Sequence, residues 1–292
     1  MNQIQRKIYP CQESFRREGV TLPKILIYAN DKVTSQNTAI KIRTELQQQG
    51  IEEVEEGQAP DYILTVGGDG TLLSAFHKYR EYIDRAQFIG IHTGHLGFYT
   101  DWLPEEVDDI VKGLLSKNAS TIEYPLVEML VKEKNQDQAY HLALNECAIR
   151  SMNGTMVCRV SIHGDIFEIF RGDGICVSTP TGSTGLNKSL GGAVMDPRIS
   201  AIQMTEMASL NNRVYRTLSS PIIVPEGEMI EVVPIAPGQH FMLSMDNKTL
   251  QSNSIEWVQF KVSKRKVKFA GFNHRKFWQR VSESFIGLEA KD

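Results

Sequence analysis

Residues 62–79, YILTVGGDGTLLSAFHKY, combine a short apolar run, a glycine-rich turn and a helical segment. The run before the glycines has the β-rich composition of a buried strand, and Leu72, Leu73 and Phe76 then recur with helical spacing. The same order occurs in KILIYAN, followed by a helical stretch over about 33–49, and in QFIGI, followed by DWLPEEVDDIVKGLLSKN. Strands that alternate with helices predict an open, mostly parallel α/β sheet, with a ligand crevice at the carboxyl ends of its strands.

The sequence changes character near residue 120. From there to about 260 it consists mainly of short β-branched segments punctuated by glycine, asparagine or proline, which is typical of an all-β domain. Only ISAIQMTEMASLNN (199–212) is predicted to form a helix within this part. The chain therefore has an α/β plus β fold in this interpretation. Its predicted parts are an N-terminal extension (1–23), an open α/β domain (24–119), an all-β domain (120–260) and a C-terminal tail that packs back on the first domain (261–292).

Composition narrows the possible partners and compartments. The 292 residues carry a net charge of −3, which gives no reason to expect nucleic acid or an anionic membrane as a partner. No run approaches the roughly 18 apolar residues of a membrane span, and residues 1–23 lack the apolar stretch of a secretory signal. The four cysteines have neither C-x-x-C nor zinc-ligand spacing, and we expect them to be reduced. These features predict a cytoplasmic protein.

The glycine turn at 67–70 is suited to binding a phosphate. Gly67 and Gly68 can adopt positive φ, and they let backbone N–H groups approach a ligand without a Cβ in the way. Gly70 and Thr71 open the next helix, whose free N–H groups favour an anion. The turn matches neither G-x-x-x-x-G-K-[ST] nor G-x-G-x-x-G, so a bare strand-to-helix turn is the alternative interpretation.

Asp69 lies in the middle of this turn, where a carboxylate repels a phosphate. A carboxylate in that position can hold a metal that bridges phosphates, or it can accept the proton of a substrate hydroxyl that attacks phosphorus. Both tasks belong to phosphoryl transfer. Neither belongs to a dehydrogenase, whose phosphate loop only holds the cofactor.

A second glycine-rich segment, FRGDGICVSTPTGSTGLNKSLGG, spans residues 170–192. Its hydroxyl and N–H groups suit phosphates and ribose, although ordinary surface loops have a similar composition. Asn145 and Glu146 interrupt an otherwise apolar strand, where buried polar groups need partners or mark a strand end. The HTGHLGF segment is kinked by glycines after the third strand, and we expect His95, Phe98 and Tyr99 to line the predicted crevice. The histidine spacing fits no zinc pattern, and no metal site built from protein ligands is predicted.

Six segments together resemble the NAD kinase family, in its bacterial type. They are GGDGT (67–71), HTGHLGF (92–98), LNE (144–146), RGDG (171–174), TPTGST (179–184) and TEMASLNNR (205–213). GGDGT alone is shared with diacylglycerol kinase-like and phosphofructokinase-like enzymes, whereas TPTGST together with NE and RGDG is much more specific. The resemblance covers most of 24–278. It implies an N-terminal α/β domain of the phosphofructokinase/diacylglycerol kinase-like type, a C-terminal all-β domain and an active site between them.

The resemblance also implies a reaction, ATP + NAD+ → ADP + NADP+, with Mg2+ or another divalent metal that arrives mainly on ATP. Some family members also accept inorganic polyphosphate. Most are homodimers or homotetramers in which a neighbouring subunit contributes to the NAD site. Asp69 corresponds to the catalytic aspartate that faces the adenosine ribose 2′-hydroxyl. The predicted NAD-binding residues are Asp69, Gly70, His95, Phe98, Asn145, Glu146, Arg171, Asp173, Thr181, Thr184, Gly185, Leu186, Asn187, Lys188, Ser189, Ala208 and Asn247.

Two departures from the family pattern concern affinity for NAD rather than the reaction class. Many members have Thr-Ala-Tyr where this chain has Thr184-Gly185-Leu186, and a histidine is expected where Asn247 stands. Two other functions stay open at this point. A diacylglycerol-type lipid kinase shares GGDGT but has no use for TPTGST, and a non-catalytic NAD-binding sensor keeps the pocket without turnover. The residues do not decide between NAD+ and NADH, between ATP and polyphosphate, or between dimer and tetramer.

Overall fold

A computed structural model describes residues 22–94, 97–116, 120–272 and 276–287. The strands are β1 (Lys24–Ala29), β2 (Glu52–Glu53), β3 (Tyr62–Val66), β4 (Gln87–Ile91), β5 (Thr121–Glu133), β6 (Ala139–Ala143), β7 (Glu146–Ser151), β8 (Met156–Ile162), β9 (Asp165–Gly172), β10 (Gly174–Ser178), β11 (Ala201–Met207), β12 (Ile222–Pro225), β13 (Met229–Pro234), β14 (Phe241–Met245), β15 (Lys248–Ser252) and β16 (Ile255–Ala270). The helices are α1 (Val33–Gln48), α2 (Asp69–Lys78), α3 (Val107–Leu115), α4 (Leu186–Ser189) and α5 (Phe277–Phe285), with 3-10 turns at Pro104–Glu106 and Thr181–Thr184.

The first part of the chain forms a parallel sheet with helices on both faces. Strands β2, β1, β3 and β4 lie side by side in this order, and all of their pairings are parallel. Neighbouring strand residues point to opposite faces, as the two-residue period requires. Ile63 thus packs in the cluster that includes Leu72 and Phe76 of α2, whereas Leu64 packs in the cluster that includes residues of α1 and α3. This places the turn between β3 and α2 at the carboxyl edge of the sheet.

The β-rich part is a sandwich whose core lies between two sheets. A six-stranded sheet has the order β12-β11-β10-β7-β14-β15. It faces strands β5, β8, β13 and β16 of the larger sheet across one apolar cluster that includes Met129, Ile175, Leu243 and Phe260. The three described cysteines, on β7, β8 and β10, are buried and free of disulfides. No helix in the described part of the chain is long and apolar enough to cross a membrane.

Strand β16 joins the two parts into one ten-stranded sheet. It pairs with β5 and β13 in antiparallel register, and its last residues, Lys268 and Phe269, pair in parallel with Gln87 and Phe88 of β4. The boundary predicted at 260/261 therefore falls inside a continuous strand. The described chain continues after β16 to Phe272, resumes at Lys276 and leads into α5.

The helix predicted over residues 199–212 is wrong, because residues 201–207 form strand β11. This strand pairs with β10 on one side and β12 on the other, which satisfies its backbone groups in a sheet. Ile202 and Met204 point into the sandwich core. The alternate residues Gln203 and Thr205 are buried on the other face, where Gln203 bonds both backbone groups of Ala193. The polar residues on the second face of β11 are buried with partners instead of facing solvent. The two-residue period of the strand is therefore not evident from the sequence.

Candidate active site

The turn between β3 and α2 is closed so tightly at Gly67 that no side chain fits there. The N–H of Gly67 donates to the Ile91 carbonyl oxygen at 2.9 Å. Its φ is +154°, and a Cβ would lie 2.2 Å from Thr71 Oγ1 and 2.5 Å from Asn30 Nδ2. These two side-chain atoms hydrogen-bond each other at 2.9 Å, which ties the end of β1 to the start of α2. The close approach explains the glycine at this position.

An open cleft of about 410 Å³ lies beside this turn. It is lined by Tyr28, Asn30, Lys32, Gly68, Gly70, Thr71 and Ser74. The first residue of helix α2 is Asp69, so the free N–H groups of its first turn belong to the same segment. The exposed ammonium of Lys32 has no ion-pair partner within the described part of the chain. Backbone donors, a hydroxyl and a cation around one cleft can bind phosphate.

The Asp69 carboxylate is held in one orientation by the loop after β4. Its Oδ2 accepts a hydrogen bond from the Phe98 N–H at 2.7 Å, and its Oδ1 accepts one from the Tyr99 N–H at 3.0 Å. Gly97 lies directly against the carboxylate, because a Cβ there would be 2.1 Å from Oδ1. Bonds from backbone N–H groups to a charged carboxylate are among the stronger hydrogen bonds in proteins. The carboxylate is therefore fixed at the start of α2, next to the cleft.

Asn145 and Glu146 are organised by Asp246, a residue that the sequence interpretation did not place in the site. Asp246 has a fully buried side chain and a φ of +51° in the turn between β14 and β15. Its Oδ1 accepts the Asn145 N–H at 2.7 Å, and its Oδ2 accepts a hydrogen bond from the His77 ring at 2.8 Å. Asn145 Oδ1 in turn accepts the Tyr99 hydroxyl at 2.5 Å. A continuous chain of contacts thus links Asp69 to the β-rich part.

Glu146 is an ionisable group of this region whose pKa is moved toward neutral pH. Burial, followed by the nearby charge of Asp246, raises the pKa of Glu146 to about 7, while Arg150 acts in the opposite direction. Its buried Oε2 has no hydrogen-bond partner among the described residues. A buried polar atom without a partner is costly, and a ligand that supplies a donor relieves the cost.

This pKa leads to a prediction about stability. Glutamate with a raised folded-state pKa contributes stability that is complete below its ordinary value of 4.5 and is lost as the pH rises through about 7. The Glu146→Gln variant lacks this titration. We expect its melting temperature to exceed that of the wild type by a few degrees at pH 8.5, with the smallest difference near pH 5. Thermal unfolding of both proteins without nucleotide measures this, and a difference that does not vary with pH would contradict it.

The TPTGST segment packs against Asn145. A Cβ on Gly182 would lie 2.0 Å from the Asn145 carbonyl oxygen, so these two backbones touch. The Thr181 side chain is buried and lies 3.3 Å from the Leu144 carbonyl oxygen, and the Thr184 hydroxyl donates to the Thr181 carbonyl. The segment is therefore part of the same site as the Asn145–Glu146 pair.

The residues that follow differ in how accessible their side chains are. Asn187 is fully buried and donates to the carbonyl oxygens of Ser183 and Ala193, so it holds the loop together. Leu186 packs beside a small cluster formed by Ala148, Cys176 and Met207. Exposed positions in this run, which a ligand can reach, are Gly185, Lys188 and Ser189.

The remaining predicted residues lie at two other places. Asn247 donates to the Ser74 hydroxyl at 2.9 Å, which brings it to the edge of the cleft. Arg171, Asp173 and Ala208 group around the turn between β9 and β10, where the Asp173 N–H donates to the Met207 carbonyl oxygen. Phe98 reaches the site through its N–H. His95 lies outside the described residues. Within the described residues no group of three or more His, Cys, Asp or Glu side chains could hold a metal ion.

The fold and this site together describe a protein with an α/β domain, whose glycine turn is suited to phosphate and carries a fixed carboxylate, joined to a β domain that supplies a polar loop. The sequence matches the family description "ATP-NAD kinase N-terminal domain" over residues 21–119 and "ATP-NAD kinase C-terminal domain" over residues 144–272. The chain belongs to the NAD kinase family. This confirms the family predicted from the sequence motifs.

Relatives with similar sequences cover nearly the whole chain. An NAD kinase of Leuconostoc citreum is 47% identical over 263 residues, which are 90% of this chain and 98% of that protein. An NAD kinase of Levilactobacillus brevis is 45% identical over 269 residues, covering 91% of this chain and 99% of that protein. Both relatives are bacterial, as the sequence motifs predicted.

Solved structures share the fold at low sequence identity. A yeast NADH kinase complexed with NADH has a TM-score of 0.78 and 19% identity, and the match covers 94% of this chain and 90% of that one. An NAD kinase from Archaeoglobus fulgidus in complex with ATP has a TM-score of 0.70 and 22% identity, and the match covers 89% and 98%. The predicted α/β plus β fold class is confirmed.

Proposed function

We infer that this chain is an enzyme that phosphorylates NAD. Its family and its near-complete coverage of bacterial NAD kinases support this function, and they do not favour a lipid kinase or a non-catalytic sensor. We further propose that ATP is the phosphate donor and that the acceptor is the adenosine ribose 2′-hydroxyl of NAD+. The products are then ADP and NADP+. The observation that carries this proposal is the fixed carboxylate of Asp69 beside a cleft suited to phosphate.

Asp69 acts as the general base in this mechanism. The 2′-oxygen attacks the γ-phosphorus of ATP, a new O–P bond forms, and the bond from phosphorus to the ADP oxygen breaks. The proton of the 2′-hydroxyl passes to Asp69. The N–H groups of Phe98 and Tyr99 hold both carboxylate oxygens, which supports a base whose direction is set before the substrate arrives.

The acceptor is placed on the side of the β-rich part. Asn145, Glu146 and the exposed positions of the loop at 185–189 are the groups there that a nucleotide can contact. The unpartnered Oε2 of Glu146 supports a hydrogen bond with the bound nucleotide. Arg171, Asp173 and Ala208 form a separate group of predicted NAD contacts, and the family resemblance implies that a neighbouring subunit contributes to the NAD site.

The donor phosphates are placed in the cleft at the glycine turn. Gly68, Gly70 and Thr71 line that cleft, and Lys32 adds a positive charge. ATP would carry a divalent metal, expected to be Mg2+, whose charge would offset that of the phosphates. The pairing of both Asp69 oxygens with backbone N–H groups supports a metal carried by the nucleotide rather than by this carboxylate.

A measurement with EDTA tests this role of the metal. If Mg2+ is carried by ATP, EDTA in excess of the metal is expected to abolish NADP+ formation, because the donor phosphates lose their counter-charge. The melting temperature of the protein without nucleotide is expected to change by less than a degree or two, because no resident metal stabilises the fold. A large drop in that melting temperature would point to a structural metal site instead.

One assay tests the proposed reaction as a whole. The purified chain is incubated with NAD+ and either ATP or polyphosphate in the presence of Mg2+, and NADP+ is measured with an NADP-specific dehydrogenase. Formation of NADP+ with ATP supports the proposal, and parallel reactions with NADH and with polyphosphate define the acceptor and the donor. A folded protein that produces no NADP+ or NADPH under any of these conditions would refute it.

A homodimer or homotetramer is proposed as the working form. Exposed apolar side chains on β9 and on the segment after β11 support it: Ile166, Phe167, Leu210, Val214 and Leu218. Hydrogen bonds from this segment to Glu168 and Glu206 hold it in place. Exposed apolar side chains of this kind are frequent at interfaces, and the molar mass in solution tests the proposal. A cytoplasmic location is also proposed, and the buried free cysteines support a reducing compartment.

The departures at Gly185 and Leu186 lead to a prediction about affinity. A Cβ on Gly185 would meet only ordinary contacts, the nearest at 3.4 Å, so the loop tolerates alanine there. An aromatic contact contributes about 0.5–1.5 kcal/mol beyond the area it buries. Leu186→Tyr is therefore expected to lower KM for NAD+ about two- to tenfold with kcat within a few-fold, because the adenine end is remote from the reacting oxygen. Steady-state kinetics measure this, and Leu186→Phe separates the ring from the hydroxyl. An unchanged KM in both variants would show that this side chain stays in the apolar cluster.

A further inference from the structure

Helix α5, near the end of the chain, buries an arginine against the loop that holds Asp69. Arg280 is the one buried residue of this helix and is 1% exposed. Arginine is almost never fully buried unless it is paired, because removing its charge from water is costly. We therefore expect the buried guanidinium of Arg280 to have partners that compensate its charge.

Arg280 binds two groups of the 97–101 loop. One guanidinium nitrogen donates to the Gly97 carbonyl oxygen, and another forms an ion pair with the Asp101 carboxylate. Asp101 is itself buried, at 6% exposure. The ring centroids of Phe277 and Phe285, also in α5, each lie 6.0 Å from the ring centroid of Phe98. The helix thus holds the loop through both polar and aromatic contacts.

The carbonyl that Arg280 binds belongs to the same peptide unit that binds Asp69. The Gly97 carbonyl oxygen and the Phe98 N–H are the two ends of one planar group. Arg280 donates to its oxygen, and its N–H donates to Asp69 Oδ2 at 2.7 Å. The peptide dipole lies between a positive and a negative charge, which favours this orientation and strengthens both hydrogen bonds.

Charge supports the same arrangement. Burial lowers the pKa of Arg280 to about 10, and the Asp69 carboxylate acts in the opposite direction. The guanidinium therefore stays charged at neutral pH. The 97–98 peptide lies between the Arg280 guanidinium and the Asp69 carboxylate, and the two charges attract each other.

We propose that Arg280 is a positioning residue for the reaction, which fixes the 97–98 peptide so that its N–H orients the Asp69 base. The proposal rests on the proposed function, because it assigns a purpose to the orientation of that carboxylate. It makes α5 part of the active site although the helix lies about 180 positions along the chain from the loop it holds. A structural role alone would affect stability and leave turnover by the folded protein unchanged.

The test compares Arg280→Ala and Arg280→Lys with the wild type in the NADP+ assay. Arg280→Ala is expected to lower kcat by about tenfold to a hundredfold while KM for ATP and for NAD+ stays within about threefold, because a misplaced base costs rate and not binding. Guanidinium ion, at concentrations well below those that unfold the protein, is expected to restore part of kcat in Arg280→Ala. Urea at the same concentration is expected to restore nothing.

Controls separate this inference from folding and from the reaction itself. Gln279→Ala removes a neighbouring exposed side chain of α5 and is expected to leave kcat unchanged. If Arg280→Ala does not fold, Arg280→Lys decides, since one ammonium nitrogen then replaces the two guanidinium nitrogens that contact the Gly97 carbonyl oxygen and Asp101. A kcat within twofold of wild type in the folded variant would overturn the inference. An inactive wild type would refute the proposed function. If the wild type is active, Asp69→Asn is inactive and the Arg280 variant is fully active, only this inference is refuted.

Discussion

Asp69→Asn is expected to lower kcat for NADP+ formation by about 10²–10⁴, which is the usual contribution of a general base. Asparagine has nearly the shape of aspartate but cannot take the proton of the attacking hydroxyl. The loss is expected in kcat and kcat/KM together, because proton transfer takes place only in the transition state. Initial rates measured against ATP and NAD+ check this.

The structure also indicates a modest effect of this substitution on stability. The two oxygens of Asp69 accept the N–H groups of Phe98 and Tyr99, whereas asparagine offers one acceptor and one donor. One of those N–H groups loses its partner, at a cost of about 1–3 kcal/mol. The melting temperature should therefore fall by a few degrees without loss of the fold. Asp84→Asn, at an exposed aspartate paired with Arg265, is the matched control with normal kcat. Near-normal kcat in a folded Asp69→Asn enzyme would remove the base from the mechanism.

Gly97→Ala is expected to reduce kcat by about a hundredfold or more, because the added methyl group occupies the position of the Asp69 carboxylate. The Cβ would lie 2.1 Å from Asp69 Oδ1 and 2.5 Å from its Cγ. The aspartate must move by about 1 Å or more, and a displacement of that size can cost about 10² in rate. Steady-state kinetics, together with a circular dichroism spectrum that establishes folding, measure the effect.

Gly94→Ala is the matched control for this prediction. Gly94 precedes the same loop, and an added Cβ there meets nothing within 4 Å. This variant is expected to retain kcat within a few-fold. If Gly97→Ala remains as active as Gly94→Ala, the carboxylate is free to move without loss, and the fixed geometry around Asp69 has no role in the rate.

Local sequence was enough to predict the elements that carry the glycine turn. The alternation of strands and helices over 24–119 is visible because each element's own residues set its period and its ends. Helix α1 ends at Gln48, close to the predicted end at about 49, and Gly50 follows it with a φ of +72°, a conformation that glycine adopts readily after a helix. The Asp69 turn could likewise be interpreted from adjacent residues, since helix N-termini and glycines act on the backbone next to them.

Residues 199–212 show where local reasoning fails. Their apolar residues fit a helical period, and nothing in the segment reveals that Gln203 and Thr205 have buried partners. The strand forms because β10 and β12 pair with it on both sides. Tertiary context overrides weak local preference in such a segment.

The order of residues was enough to predict the class of fold and the family, and it indicates a turn suited to phosphate with a carboxylate in it, because these features depend on neighbouring residues or on motifs in a fixed order. How the site is held could not be predicted in this way, because its residues meet only in the folded chain. Asp246 meets His77 across 169 positions, and Arg280 meets the Gly97 carbonyl across 183. Such pairs leave no local pattern, since a buried charge is favourable only where the folded chain supplies its partner. Desolvation and pairing depend on distances in space, and the order of residues along the chain does not state these distances.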